Sequence, residues 1–130
     1  MQLRLILPSS EVSRLWSTGP HWHLVLSAAT VQAHVVDEPR LKTWGHLNGV
    51  TLTFRDALVE GDLDQALGTL SECDLHLDGK PLKGLEMPCE LKGRIACTLT
   101  FHHGGVVSLS AGSLSTPRGE LDRFRESMAC

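Results

Sequence analysis

Alternation of hydrophobic and polar residues dominates this chain, and it predicts strands. Residues 95–112 (IACTLTFHHGGVVSLSAG) have apolar side chains at every second position on each side of an HGG sequence at 103–105. A three-residue loop with glycine in the left-handed conformation is a common hairpin connection. With 103–105 as the loop, Phe101 pairs with Val107 and one face of the hairpin is apolar throughout. The opposite face then carries Thr98, Thr100, His102, Ser108 and Ser110.

The same period-two alternation predicts further strands along the chain. They cover residues 2–7, 22–28, 30–36, 50–54 and 74–78. Segments 22–28 and 30–36 follow each other so closely that they form either one long bent strand or a tight pair. Strands that alternate, rather than being apolar throughout, are typical of antiparallel sheets.

Three segments have helical spacing instead. Residues 10–19 place apolar side chains at i, i+3 and i+4 after Ser10, which is a good N-cap. Residues 62–71 and 116–128 repeat that spacing, each with a plausible helix start. We therefore expect a single domain over residues 1–130 of the mainly β (α+β) class. The predicted architecture is an antiparallel sheet or a two-sheet sandwich with one to three short helices at the edges.

The amino-acid composition and the net charge argue against some classes of function. The formal net charge is −3, Tyr is absent, and there are three Phe and three Trp. This argues against nucleic-acid binding and base stacking. No window approaches the roughly 20 apolar residues of a membrane span, and the short apolar N-terminal run does not make a signal peptide. We therefore expect a cytoplasmic protein with no membrane or nucleic-acid partner, no cofactor, and free thiols at its four cysteines.

Charge is unevenly distributed along the chain. Residues 56–78 hold seven acids and no Lys or Arg, whereas 1–55 (five basic, three acidic) and 79–130 (seven basic, five acidic) each carry +2. The seven acids are Asp56, Glu60, Asp62, Asp64, Glu72, Asp74 and Asp78. A local excess of one charge attracts partners of the opposite sign. The segment is therefore either a docking surface for a basic partner or a solvated face. In the second case the fold would set Lys80, Lys83, Lys92 and Arg94 against it.

Histidine supplies a second candidate site. His21 and His23 are two residues apart in a predicted strand, so both face the same side, and His34 follows in the next segment. Imidazoles on one face can share a metal ion, although zinc sites take three or four protein ligands. The alternative interpretation is a set of exposed histidines on a polar face.

No pattern in the sequence supports nucleophilic or acid–base catalysis, because no thiol has a fixed histidine beside it and no cleft is indicated. The sequence favours a small non-enzymatic interaction module that binds a basic protein through residues 56–78, as an inhibitor or immunity-type antagonist would. The alternative is a small-ligand or metal-binding β protein, an enzyme among the options, that uses His21 and His23. The hairpin face at 95–112 lacks Lys and Glu, so it is expected either to lie under a helix at 121–128 or to meet a partner or a second copy.

Overall fold

A computed structural model describes residues 2–35, 38–116 and 125–126. Within them the chain forms strands and one short 3₁₀ turn at Leu63–Gln65. The strands are β1 (Gln2–Thr18), β2 (His21–Val35), β3 (Glu38–Leu47), β4 (Val50–Arg55), β5 (Leu58–Gly61), β6 (Gly68–Leu77), β7 (Lys80–Leu82), β8 (Leu85–Met87), β9 (Glu90–Phe101), β10 (Val106–Ser115) and β11 (Arg125–Glu126).

Six of the described strands close into a barrel. Hydrogen-bonded neighbours run β2-β4-β10-β9-β6-β1, and pairing of β1 with β2 completes the ring. Outside this ring, β3 and β11 extend one half of β2, β8 pairs with β1, β5 pairs with β10, and β7 pairs with β6. The mainly β, antiparallel class is confirmed. The two-sheet sandwich is wrong, because the described strands belong to one sheet that curls back on itself.

The barrel interior is filled by a single apolar cluster. Its largest fully buried side chains include Phe54, Phe101, Leu5, Leu24, Leu52 and Leu99. They come from alternate positions of the strands, which leaves the polar positions in between on the outer wall. A polar binding site of this molecule therefore has to be sought on the outside of the barrel.

β1 and β2 are long because both strands bend without ending. The register of β1 on β2 shifts between Ile6 and Glu11, and Ser9 there has a φ of +72°. β3 pairs with one half of β2 and β4 with the other half. The segments 22–28 and 30–36 are thus the two halves of one long bent strand, which was one of the two predicted arrangements.

The β9–β10 hairpin has the predicted faces in a different register. Its loop is 102–104, closed by the Phe101 amide, which donates to the Gly105 carbonyl oxygen over 2.9 Å. Gly104 supplies the left-handed residue, with a φ of +97°. Val107 therefore pairs with Leu99 instead of Phe101. Starting the loop one residue earlier moves each cross-strand partner by two positions, so every side chain keeps its predicted face.

Two of the predicted helices are wrong. Residues 10–19 continue β1, and residues 62–71 contain only the 3₁₀ turn before β6 begins. A bulge between Val12 and Arg14 puts Val12 and Leu15 both on the core side, three residues apart. An extra residue in a strand thereby imitates the spacing of a helix face.

The third predicted helix, at 116–128, lies largely outside the described residues. Its residues Arg125–Glu126 are described and form β11, which pairs with Gly45 and His46 of β3. In the strand order at least three strands separate β11 from β6 and from β9. These two residues therefore do not cover the hairpin face.

Candidate functional site

The outside of four neighbouring strands brings the hairpin face and the acidic segment together. β5, β10, β9 and β6 lie side by side, and their outward residues form three cross-strand rows. The central row is Glu60, Ser108, Thr98 and Asp74. The flanking rows are Leu58, Ser110, Ala96 and His76, and then Val106, Thr100 and Glu72. We call the surface made by these three rows the outer face.

The middle of the outer face is small and uncharged. Ser108, Ser110 and Ala96 are exposed, and Thr98 is half-buried. A shallow depression of about 250 Å³ lies over β9 and β10 and is bordered by Leu58 and by residues of these two strands. The hydroxyl groups there can each donate and accept a hydrogen bond.

Acidic side chains occupy both margins of the outer face. Glu60 stands on β5, with Glu72 and Asp74 on β6, and all three are exposed. Among the described residues, the one salt bridge joins Arg4 Nη2 and Glu86 Oε1 over 2.8 Å. The basic residues expected to neutralise the acidic segment, namely Lys80, Lys83, Lys92 and Arg94, therefore make no contact ion pair with it.

The other four acids of segment 56–78 lie outside the three rows, and two of them accept hydrogen bonds from backbone amides. Asp78 sits in the β6–β7 turn with a φ of +51°, and its Oδ1 accepts a hydrogen bond from the Arg94 amide over 2.9 Å. Asp62 Oδ2 accepts from the Val106 amide over 3.4 Å, which ties the chain after β5 to β10. Asp56 has a φ of +53°, and Asp64 is exposed in the 3₁₀ turn. Segment 56–78 is thus partly structural and partly solvent-facing.

His21 and His23, proposed as metal ligands, both have other hydrogen-bond partners, and the backbone of His34 is far from them along β2. His23 Nε2 lies 2.8 Å from Thr18 Oγ1, its Nδ1 lies 3.2 Å from Thr53 Oγ1, and its ring lies against that of Trp16. His21 Nδ1 accepts a hydrogen bond from the Asp56 amide over 3.3 Å. The backbone of His34 lies eleven residues beyond His23 on the same strand, which is roughly 35 Å along it. The described residues contain no group of three side chains able to share a metal ion.

His103 has a structural role that the sequence did not indicate. Its Nδ1 accepts a hydrogen bond from the Gly105 amide over 3.1 Å, so Nε2 carries the proton and donates to the Leu67 carbonyl oxygen, also over 3.1 Å. The ring stacks on Phe101 with the centroids 5.2 Å apart. His103 therefore fastens the β9–β10 loop to the segment before β6, at one end of the outer face.

The sequence missed the assembly of this face because it depends on long-range pairing. Glu60 and Asp74 reach the same row only because β5 pairs with β10 and β6 with β9. Leu58 is also missed; its side chain is 74% exposed at one margin. An exposed leucine in an alternating pattern gives no signal of its own.

In the described part of the chain, no helix has the length and apolar character needed to cross a membrane. Comparison with known proteins gives no match to a family model, to a curated protein or to a solved structure.

Proposed function

We propose that this protein is a non-enzymatic interaction module that binds a basic protein partner through the outer face. The observation that supports the proposal is the position of Glu60 on one margin and of Glu72 and Asp74 on the other, all exposed. Between them lie hydroxyl-bearing side chains that can pair with polar groups of a partner. An inhibitor or an immunity-type antagonist works through a rigid, charged surface of this kind.

Electrostatics favour a basic partner over a second copy of the chain. The acids of the outer face form no contact ion pair with a basic residue in the described part of the chain. Such charges raise the association rate with an oppositely charged surface and repel a like one. Two copies meeting through this face would bring acidic margins into apposition. Self-association through the hairpin face is therefore the weaker alternative, and sedimentation of the purified chain as a dimer would favour it.

A small-ligand or metal site at His21 and His23 has less support. Both ring nitrogens of His23 are already within hydrogen-bond distance of threonine hydroxyls. A metal ion would have to replace those contacts. Elemental analysis of untagged protein, together with melting with and without EDTA, tests this alternative; no bound metal and no change in melting temperature would remove it.

Charge reversal tests the main proposal. The double variant Glu60→Lys/Asp74→Lys changes the two ends of the central row, where neither carboxylate supports the fold by a hydrogen bond. A charge-matched control is Glu11→Lys/Glu90→Lys, at exposed positions on β1 and at the start of β9. Because Glu11 Oε1 accepts a hydrogen bond from the Ser27 hydroxyl over 2.9 Å, the circular dichroism spectrum of this control is measured as well. Each form is immobilised and used to capture proteins from native lysate at low and high salt, followed by mass spectrometry.

We expect wild type and control to capture the same basic proteins at low salt and to lose them as the ionic strength rises well above about 0.15 M. The Glu60→Lys/Asp74→Lys variant should lose them at both salt concentrations while its circular dichroism spectrum stays unchanged. Equal capture by all three forms would refute binding through the outer face.

A further inference from the structure

Two cysteines from neighbouring strands meet behind the outer face. The Sγ atoms of Cys73 on β6 and Cys97 on β9 are 3.6 Å apart. Cys97 pairs directly with Leu75 and Cys73 with Leu99, so the two thiols are diagonal neighbours on the inward side of the sheet. A disulfide bond is about 2.0 Å long. The sulfurs therefore need to approach each other by about 1.5 Å, and for diagonal neighbours in a sheet this takes a small backbone adjustment as well as side-chain rotation.

The two thiols differ in access to solvent. Cys97 is 1% exposed, whereas Cys73 is partly exposed. β1 pairs with β6 only through Glu11–Thr69 and Val12–Gly68. Beside Cys73 the described β1 and β6 backbones are not paired, and a small cleft of about 10 Å³ lies there between Leu5, Leu7 and the segment 82–85. This volume is at the lower bound for one water molecule, so an oxidant reaches Cys73 through the exposed part of its side chain.

The environment of Cys97 disfavours its ionised form. The hydrogen bond between the two thiols, with burial as a second cause, raises the pKa of Cys97 well above the ordinary thiol value. Cys97 is thus held as a protonated thiol against the sulfur of Cys73. Because Cys73 is the more exposed of the two, it is the group that meets a dissolved oxidant first, and Cys97 is the group that follows.

We propose that Cys73 and Cys97 form a reversible intramolecular disulfide when the protein meets a peroxide. The thiol of Cys73 is oxidised to a sulfenic acid, and one molecule of water is released. The sulfur of Cys97 then attacks the Cys73 sulfur; the S–O bond breaks, and the leaving hydroxide takes up the Cys97 proton as a second water. In sum two thiols lose two hydrogen atoms and one peroxide is reduced to two waters.

Cys89 serves as the internal control for this chemistry. It is buried, and burial raises the pKa of its thiol. Among the described cysteines it has no sulfur within hydrogen-bond distance, in contrast to the Cys73–Cys97 pair. A reaction governed only by the presence of a thiol would not distinguish these positions.

The experiment treats the reduced full-length chain with a slight molar excess of hydrogen peroxide under native conditions. Intact mass spectrometry should show the loss of two hydrogen atoms, and peptide mapping should show 73 linked to 97. Dithiothreitol should reverse both changes. The oxidised form should melt several degrees higher than the reduced form, because the bond constrains the unfolded chain.

Cysteine variants test whether the disulfide joins Cys73 to Cys97 and not another pair of cysteines. Cys73→Ser and Cys97→Ala should each abolish the linkage, whereas Cys89→Ser and Cys130→Ser should retain it. Mapping of the wild-type chain decides the question even if Cys97→Ala does not fold. The proposal is overturned if Cys73 proceeds to sulfinic acid with Cys97 still reduced, or if the linkage joins Cys89, Cys130 or a second chain.

Discussion

The hydroxyl of Ser10 accepts a hydrogen bond from the Thr30 amide across 2.9 Å, which joins β1 to β2 where both strands bend. The same oxygen donates to the Ile6 carbonyl oxygen, also over 2.9 Å. Ser10 is 0% exposed, so no water is available to replace it. One buried side chain therefore holds the bend that allows β2 to pair with β4 on one half and β3 on the other.

Replacing Ser10 by Ala should cost about 1–3 kcal/mol of unfolding free energy, because the buried Thr30 amide loses its acceptor. Urea denaturation measures the change. Ser13→Ala is the matched control, since the Ser13 hydroxyl is exposed and donates to the Val25 carbonyl oxygen over a longer 3.3 Å. The control should change stability by less than about 0.5 kcal/mol. Equal losses for the two variants would contradict the role given to Ser10.

The carboxylate of Asp78 is expected to stabilise the fold. Asp78→Ala removes the acceptor of the Arg94 amide and places a residue with a Cβ but no local acceptor at a φ of +51°. We expect a loss of roughly 1–2 kcal/mol, whereas Asp78→Asn, which keeps an acceptor and tolerates this conformation, should lose less. Asp74→Ala is the control from the same segment and should be close to neutral in thermal melts.

Gly61 should tolerate no side chain. It has a φ of +121°, and an added Cβ would meet the Val106 carbonyl oxygen at 2.3 Å. Gly61→Ala should therefore lose about 2 kcal/mol or more and loosen β5 from β10. Gly19→Ala has open space around its Cβ and a φ of +60°, so only the backbone cost of about 1 kcal/mol applies. Hydrogen exchange at residues 58–61 would show whether β5 loosens; unchanged protection in Gly61→Ala would speak against this account.

Alkaline pH should destabilise the reduced protein through Cys97. Its folded-state pKa is raised above the ordinary value of 9.0. Its contribution is therefore fully present below about pH 9, and it falls as the pH rises from there towards the folded pKa, because the unfolded state releases the proton first. Urea unfolding with reductant between about pH 7 and pH 10 measures the slope. Cys97→Ala should show a shallower decline, and identical slopes for the two proteins would rule out this source of pH dependence.

Local alternation was enough to predict the antiparallel class, part of the strands and both faces of the hairpin, but it missed β3, β5, β7 and β8. It could not locate the loop within HHGG, because shifting the loop by one residue leaves the apolar positions on the same face. In this case Gly104, and not Gly105, takes the left-handed conformation. The false helix at 10–19 has a related cause, since a strand bulge reproduces helical spacing.

Barrel closure and the candidate site depend on contacts that alternation does not encode. Closure requires β1 to pair with β2 and, through Glu11 and Val12, with β6. The sequence did identify the acidic segment and the uncharged hairpin face as unusual. It treated them as separate surfaces because the strands that flank the hairpin, β5 and β6, are set by long-range pairing.

The row that runs from Glu60 through Ser108 and Thr98 to Asp74 fixes a spacing as well as a charge. It crosses three inter-strand steps, so the backbones at its two ends are about 14 Å apart along the sheet. Pairing of β5 with β10 at one end and of β6 with β9 at the other holds that separation. A partner that contacts both ends would thus be selected by the distance between its cations. A folded surface with cations at that distance would gain more binding free energy from the fixed spacing than a flexible basic tail would.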